Sequence, residues 1–313
     1  MSIIKVMKVI NIILKLSLAI LTVVALFVFF NETIKNQDRK IIANEESEWQ
    51  EPKKTTVEVS FTDEETKDQE FLSSLPIKTI EKGSVRVPIL LYHRIGIAPN
   101  PETQSYYVSP ETFERQMHWL ALNNYRIISL DSLVNYLKNG KNKPENKSVV
   151  ITFDDGTIGQ YKEAFPILKK YHYNATFFLV PTWIDKGSSD TGSDYMSWDQ
   201  AKEISNYGMV IGSHNLTHKD MNNATDEEII TELQESKKIL EEKLNKSIKN
   251  YAYPGGELGE RSIKAVENYG YDSACSVQKD IDHNPAELFQ LERMHIDNDL
   301  PYFIARIEGR WQK

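Results

Sequence analysis

The sequence predicts an α/β fold, most simply a barrel or near-barrel of about seven parallel strands, preceded by a membrane-spanning helix and a polar stalk. Three observations predict this. Apolar, β-branched segments alternate with amphipathic ones from residue 85 onward, as parallel strands joined by crossover helices do. An unbroken apolar run, LSLAILTVVALFVFF, fills residues 16–30. Between the two lies a charged stretch with no sustained hydrophobic period. The chain has 313 residues, 40% apolar and 26% charged. That suffices for one or two domains with a sizeable core and excludes a fibrous or wholly disordered chain.

Taken in order, the apolar run extends back to Ile12 with one charge, Lys15, placed where it can snorkel. It thereby approaches the roughly 20 residues a bilayer core needs. Lys5 and Lys8 also precede it and Glu32 follows it, so residues 1–30 read as a cytoplasmic N-terminus followed by a transmembrane anchor, oriented by the positive-inside rule. An uncleaved signal anchor is expected, with a cleaved signal peptide as the alternative. Residues 31–84 are rich in Glu, Lys, Thr, Asp and Gln and read as a largely disordered stalk. The folded domain is then expected over 85–313, outside the cell membrane.

Within it, VRVPILLYH (85–93), SVVITF (148–153), ATFFLV (175–180), MVIGS (209–213), IKNYAY (248–253), DSACSV (272–277) and LFQLERMHI (288–296) are the strand candidates. Helices are expected from Ser109-Pro110, over about 159–171, over 198–208 ending at Gly208, and over about 259–268. A long helix starts at the capping box Thr225/Glu228, with Ile229, Ile230, Leu233, Leu240 and Leu244 as its apolar stripe. Net charge is −8, which argues against nucleic acid as partner. The single cysteine, Cys275, excludes an intramolecular disulfide and reads as a small buried residue.

Polar clusters stand where strands end. Asp154-Asp155-Gly156 follows VVITF. Adjacent carboxylates at the end of an apolar strand are costly to desolvate unless paired or used. Neighbours in an extended segment point opposite ways, so one can bind a cation while the other acts as a base; an Asx turn ending the strand is the plainer reading. His214 and His218 lie four apart after MVIGS. Two imidazoles and a carboxylate form a three-ligand set that leaves positions open. Two surface histidines are the alternative. Tyr253-Pro254-Gly255-Gly256 can bring a backbone N–H close to a substrate, or be an ordinary turn. His295, in the last strand, is a candidate proton donor, and His93 ends the first strand pointing to the mouth or the core.

Together these segments resemble the NodB-like polysaccharide deacetylases of carbohydrate esterase family 4, over about residues 85–313. TFDDG (152–156) matches the first motif. HNLTH (214–218) matches the second, with Asn215 in place of the usual hydroxyl residue. The resemblance implies a distorted (β/α) barrel of NodB type, with Asp154 as catalytic base, Asp155, His214 and His218 as metal ligands, Gly255 as oxyanion N–H, His295 as acid, and Pro254 and His93 against substrate. The implied cofactor is a divalent metal, zinc above cobalt, nickel or manganese. Two motif positions depart from the family. Ala252 stands where the family has the Arg that pairs with the catalytic Asp, and the Asp-x-x-Asp-Trp motif has no clear match. Lower activity is the expectation the missing Arg suggests. These departures, with PILLYHRIG and YRIISL (125–130), resemble the subgroup that removes acetyl groups from poly-β-1,6-N-acetylglucosamine. Peptidoglycan is the alternative substrate, and an inactive glycan-binding surface protein is the alternative of a different class.

Overall fold

A computed structural model of the chain describes residues 60–186, 195–277 and 280–310. The expected membrane anchor (1–30) and the first half of the stalk lie outside the described residues. Among those described, no helix is long and apolar enough to cross a membrane.

In chain order the main elements are α1 (Asp63–Ser74), β1 (Ile89–Tyr92), α2 (Pro110–Leu122), α3 (Leu130–Asn139), β2 (Ser148–Phe153), α4 (Phe165–Tyr171), β3 (Thr176–Leu179), α5 (Trp198–Asn206), β4 (Val210–Ser213), α6 (Asp226–Leu244), β5 (Asn250–Ala252), α7 (Glu260–Asn268), β6 (Ser273–Cys275), β7 (Met294–His295) and α8 (Leu300–Glu308). The seven strands form one sheet in the order β6-β5-β4-β3-β2-β1-β7, every pair parallel. Arg126–Ile127 adds a short eighth strand beside the start of β2. The two edges approach each other through the bridge Cys275–Leu291. The result is a half-barrel, consistent with the distorted (β/α) barrel expected.

The helix signals hold in detail. Ser109 caps α2 with Pro110 in its first turn. Thr225 and Glu228 form the reciprocal capping box of α6. Strands β1, β2 and β3 are buried along their whole length, as a parallel sheet covered on both faces requires. The larger apolar cluster packs β-strand side chains such as Ile151, Phe153, Phe177 and Leu179 against α2 and α4–α8. A second joins Ile89, Val150, Phe178, Ala252 and Cys275 to Leu130, Leu133, Val134 and Leu137 of α3. These two sets alternate along the strands, so α3 covers the same face of the sheet that carries Asp154.

Several expectations need correction. The run 85–93 is not one strand: Pro88, with no N–H to donate, separates β1 from Val85–Arg86, which pairs antiparallel with Asp282–His283. The helix expected over 159–171 opens with a wide turn at Gln160–Ala164 before α4, where Pro166 cannot donate to the preceding turn. The last strand shortens to Met294–His295. In α6, Ile230 faces solvent and Glu232 is buried, the reverse of what hydrophobicity alone suggests.

The expectation of a largely disordered stalk up to residue 84 fails from Ser60 on. Thr62 and Glu65 form a capping box that starts α1, which packs along α8. Glu65 pairs with Arg115 of α2 through both carboxylate oxygens, each at 3.1 Å. Further along, Lys78 reaches Asp280 and Asp282, and Arg86 holds Asp282 at 2.8 Å. The segment is a clasp on the catalytic body.

Candidate active site and metal centre

The strand C-termini converge as expected. Asp154 leaves β2 still extended, its N–H bonded to the Tyr92 carbonyl across the sheet. Asp155 and Gly156 then take positive φ, 76° and 75°. This consecutive left-handed turn overrides the expected opposite facing of the two carboxylates: both approach His214 Nε2, Asp154 at 3.7 Å and Asp155 at 3.6 Å. Gly156 is required there by its φ and by its neighbours, since a Cβ would sit 3.0 Å from Ile184 and Leu179.

The most consequential contact has no counterpart among the sequence motifs. Arg293 is fully buried and grips Asp154 with two parallel hydrogen bonds of 2.6 Å. Its Nε donates to the Ser276 carbonyl, and its guanidinium lies over the Phe178 ring. The Arg that the family places at position 252 is thus supplied from the opposite edge of the sheet, and the small, buried Ala252 leaves room on that face. Burial by itself raises the Asp154 pKa. The charge of Arg293 and its hydrogen bonds lead the interactions that outweigh it and hold the carboxyl down at about 2, ionised at any physiological pH. The absence of an Arg at position 252 therefore does not leave Asp154 without a cationic partner.

Asp155, His214 and His218 form the one cluster of potential metal ligands among the described residues, with ligand atoms within 4.8 Å of one another. Asp155 Oδ1 is buried, has no hydrogen-bond partner, and lies 3.6 Å from each imidazole Nε2. Those gaps are too long for hydrogen bonds. They match ligands sharing one ion: bonds of about 2.1 Å at tetrahedral angles leave donors roughly 3.4 Å apart. Burial and the charge of Asp154 push the Asp155 pKa up to about 7, a cost that a bound cation reverses. Burial lowers the His214 pKa to about 4, keeping it in the neutral, ligating form. Its Nδ1 bonds the Ala252 carbonyl at 2.8 Å, which orients Nε2 to the site. The residues present fit a divalent cation.

The loop between the histidines is held as the Asn215 substitution allows. Asn215 adopts φ 64°, donates to the Lys219 carbonyl at 2.8 Å and accepts from the Tyr251 hydroxyl. Trp183 stacks on His218, ring centres 4.9 Å apart, and Tyr195 packs on Trp183; Trp198 instead belongs to the core.

Pro254, Gly255 and Gly256 form a tight turn at the end of β5. The Gly256 N–H bonds the Tyr253 carbonyl. Gly255 has φ 66°, and a Cβ on it would meet only Glu257, at 4.0 Å, so its surroundings are open to a substrate. His93 is half-buried, with its Nδ1 atom buried and unpartnered; desolvation depresses its pKa to about 4 against the pull of Asp154. His295 lies one ring further out, 5.4 Å from His93 between ring centres, with Nε2 on the Ser105 carbonyl at 2.7 Å. Tyr106 packs on both rings. Every site residue expected from the sequence therefore lies at this end of the sheet. Sequence reasoning misses Arg293 and Glu232: Arg293 carries no spacing signal, its partner being 139 residues away, and Glu232 reads as one more charge in a charged helix.

Comparison with known proteins agrees with this geometry. The sequence profile of the family described as "Polysaccharide deacetylase" matches residues 141–274. The Bacillus subtilis (strain 168) protein YxkH, named as a polysaccharide deacetylase, is 30% identical over 250 residues, 80% of this chain and 82% of its own. A Staphylococcus aureus (strain MSSA476) poly-β-1,6-N-acetyl-D-glucosamine N-deacetylase is 28% identical over 245 residues, 72% of this chain and 83% of its own. Among solved structures, the Streptococcus pyogenes deacetylase PplD, in complex with acetate, superposes with a TM-score of 0.65 at 27% identity, covering 73% of this chain and all of that one. With a profile match that spans the Asp154 and His214 motifs and a 30% identical relative matched over 80% of this chain and 82% of its own, the chain belongs to the polysaccharide deacetylase family.

Proposed function

We propose that this enzyme removes N-acetyl groups from an N-acetylglucosamine polymer at the bacterial surface, most simply poly-β-1,6-N-acetylglucosamine, with a divalent cation held by Asp155, His214 and His218. The observation that carries the reading is the pairing of two differently treated carboxylates at one mouth. Asp154 is ion-paired and oriented by Arg293, while Asp155 Oδ1 is left without a hydrogen-bond partner beside two neutral imidazoles. Environments that push two neighbouring carboxyls apart assign them different roles. The substrate is suggested by the Staphylococcus relative, which matches along most of its length. The surface location is suggested by the apolar run 16–30 and the lysines before it.

Asp154 takes a proton from the attacking water. A carboxylate held at about 2 is a weak base, and the cation, zinc by the chemistry of its donors, supplies the acidity that lets such a base work. Arg293 keeps Asp154 ionised and its oxygens aimed. The Gly255 N–H donates to the oxygen that becomes negative in the tetrahedral state, and Pro254 shapes that turn. The departing sugar amine needs a proton. Of the two histidines considered, His93 is the better placed to relay it: with a pKa of about 4 it is neutral at physiological pH, and its buried, unpartnered Nδ1 can take up the proton that Asp154 removes from water and pass it to the amine. His295, committed to Ser105, backs its ring. Acetate and a glucosamine unit are the products.

The test is acetate release from poly-N-acetylglucosamine oligosaccharides and, separately, from peptidoglycan fragments, with and without chelator. Chelator-sensitive release from the oligosaccharides alone supports the proposal. Release from peptidoglycan alone reassigns the substrate, and chelator-insensitive release removes the metal from the mechanism. In the same assay His93→Gln should lose more turnover than His295→Gln; the reverse order returns the acid to His295.

A further inference from the structure

Glu232, in the second turn of α6, is 6% exposed and faces the loop that carries both ligand histidines. One carboxylate oxygen accepts the Leu216 and Thr217 N–H groups, each at 2.9 Å; the other accepts the Thr217 hydroxyl at 2.5 Å. A buried carboxylate on the inward side of an amphipathic helix is costly, and three donors offset that cost. Its acceptor capacity is spent on the loop rather than on its own helix, so the carboxylate ties the histidine loop to α6.

The loop needs a clamp. Asn215 and His218 both hold φ 64°, a conformation that strains a non-glycine residue unless its surroundings impose it. His214 is secured independently, by burial and by the Ala252 carbonyl. The His218 side chain is 32% exposed and packs against the Trp183 and His214 rings. The peptide groups immediately before it are the ones Glu232 grips. The carboxylate is also near enough for its charge to act on the His218 ring.

We infer that Glu232 is a positioning residue of the metal centre: by fixing the Leu216–Thr217 peptides it sets His218 against Asp155 and His214, and it places a second carboxylate behind a ligand set that otherwise holds only one. The inference rests on the metal reading proposed for Asp155, His214 and His218. Glu232 does not touch substrate or cation, so its removal should weaken metal binding and leave the chemistry of the loaded site nearly intact.

The experiment uses the full chain in detergent, stripped with chelator and titrated with Zn²⁺ against a chromophoric competitor, and with Co²⁺ followed by its visible absorption. Wild type, Glu232→Gln, Glu232→Ala and His218→Ala are compared, with the melting temperature of each metal-free protein as a check on folding. Glu232→Gln keeps the shape and most hydrogen bonds but not the charge, and should weaken Zn²⁺ binding about 10-fold. Glu232→Ala loses the clamp as well and should approach 100-fold, the upper range for removal of such supporting groups, with a changed Co²⁺ spectrum. At saturating Zn²⁺ the kcat of Glu232→Gln should return close to wild type. Unchanged Zn²⁺ affinity in folded Glu232→Gln overturns the inference even if Glu232→Ala fails to fold. Wild type that binds no metal, or His218→Ala that binds as wild type does, overturns the metal centre itself and this inference with it.

Discussion

Arg293 decides how the candidate base behaves. Replacing it with Met leaves Asp154 buried without a cation, which costs about 3–5 kcal/mol of stability. It also frees burial to raise the Asp154 pKa from about 2. The base then protonates at higher pH, so the acid limb of the pH–rate profile should move upward; a profile that stays in place would show that Arg293 does not govern Asp154. Lysine is a poor substitute, because it cannot make the two parallel bonds. Asp154→Asn should keep metal affinity while turnover falls on the order of 10²–10⁴-fold, checked by Zn²⁺ titration beside acetate release. Restoring the family's residue with Ala252→Arg should not activate the enzyme. Ala252 is wholly buried beside Phe178 and Cys275, and a second guanidinium would overpack that face at about 1–3 kcal/mol. A faster, equally stable Ala252→Arg enzyme would show that Arg293 is not a full replacement.

Elements place these residues by two devices: strands that end together, and left-handed turns that re-aim the side chains at those ends. The clasp formed by α1 and residues 75–84 belongs to this scale. It contributes no buried residue of its own from α1, so its hold comes from ion pairs and backbone hydrogen bonds, among them Lys78 N–H to the Gly309 carbonyl at 2.8 Å. Partly buried pairs of this kind are worth more than exposed ones but remain modest. A protein beginning at residue 85 should therefore melt about 4–8 °C below one beginning at residue 60, the shift expected for roughly 2 kcal/mol in a domain of this size. Equal melting temperatures would make the clasp a passive tether.

At the scale of the whole molecule, buried neutral histidines make the fold sensitive to acid. His283 is buried, with Nε2 on the Val87 carbonyl at 3.0 Å, and burial lowers its pKa to about 4. Its unfolded value is about 6.5. The unfolded chain therefore binds the proton first, and the contribution of His283 is complete above about pH 6.5 and lost as pH falls toward 4. The amount is roughly 3 kcal/mol. The melting temperature should fall across that window, and less steeply in His283→Asn, which retains a donor for Val87. Parallel slopes in the two proteins would remove His283 as the cause.

From sequence alone, the alternation of strands and helices, the helix caps at Ser109 and Thr225, and the motif residues Asp154, Asp155, His214, His218 and Gly255 were all legible, because each is a local pattern with a local physical cause: hydrophobic period, an unsatisfied helix terminus, a turn that requires glycine. Three things were settled only in three dimensions. The partner of Asp154 comes from residue 293, since sheet order brings β7 beside β1, one strand away from β2, and no spacing encodes that contact. The two carboxylates face one mouth because positive φ at Asp155 and Gly156 breaks the strand's alternation. Residues 60–84 pack rather than dangle because their charges find partners at Arg115, Asp280 and Asp282. In the first and third cases the deciding energy lies in contacts between residues distant along the chain, and a polar residue read alone carries no mark of the partner that folding will bring to it.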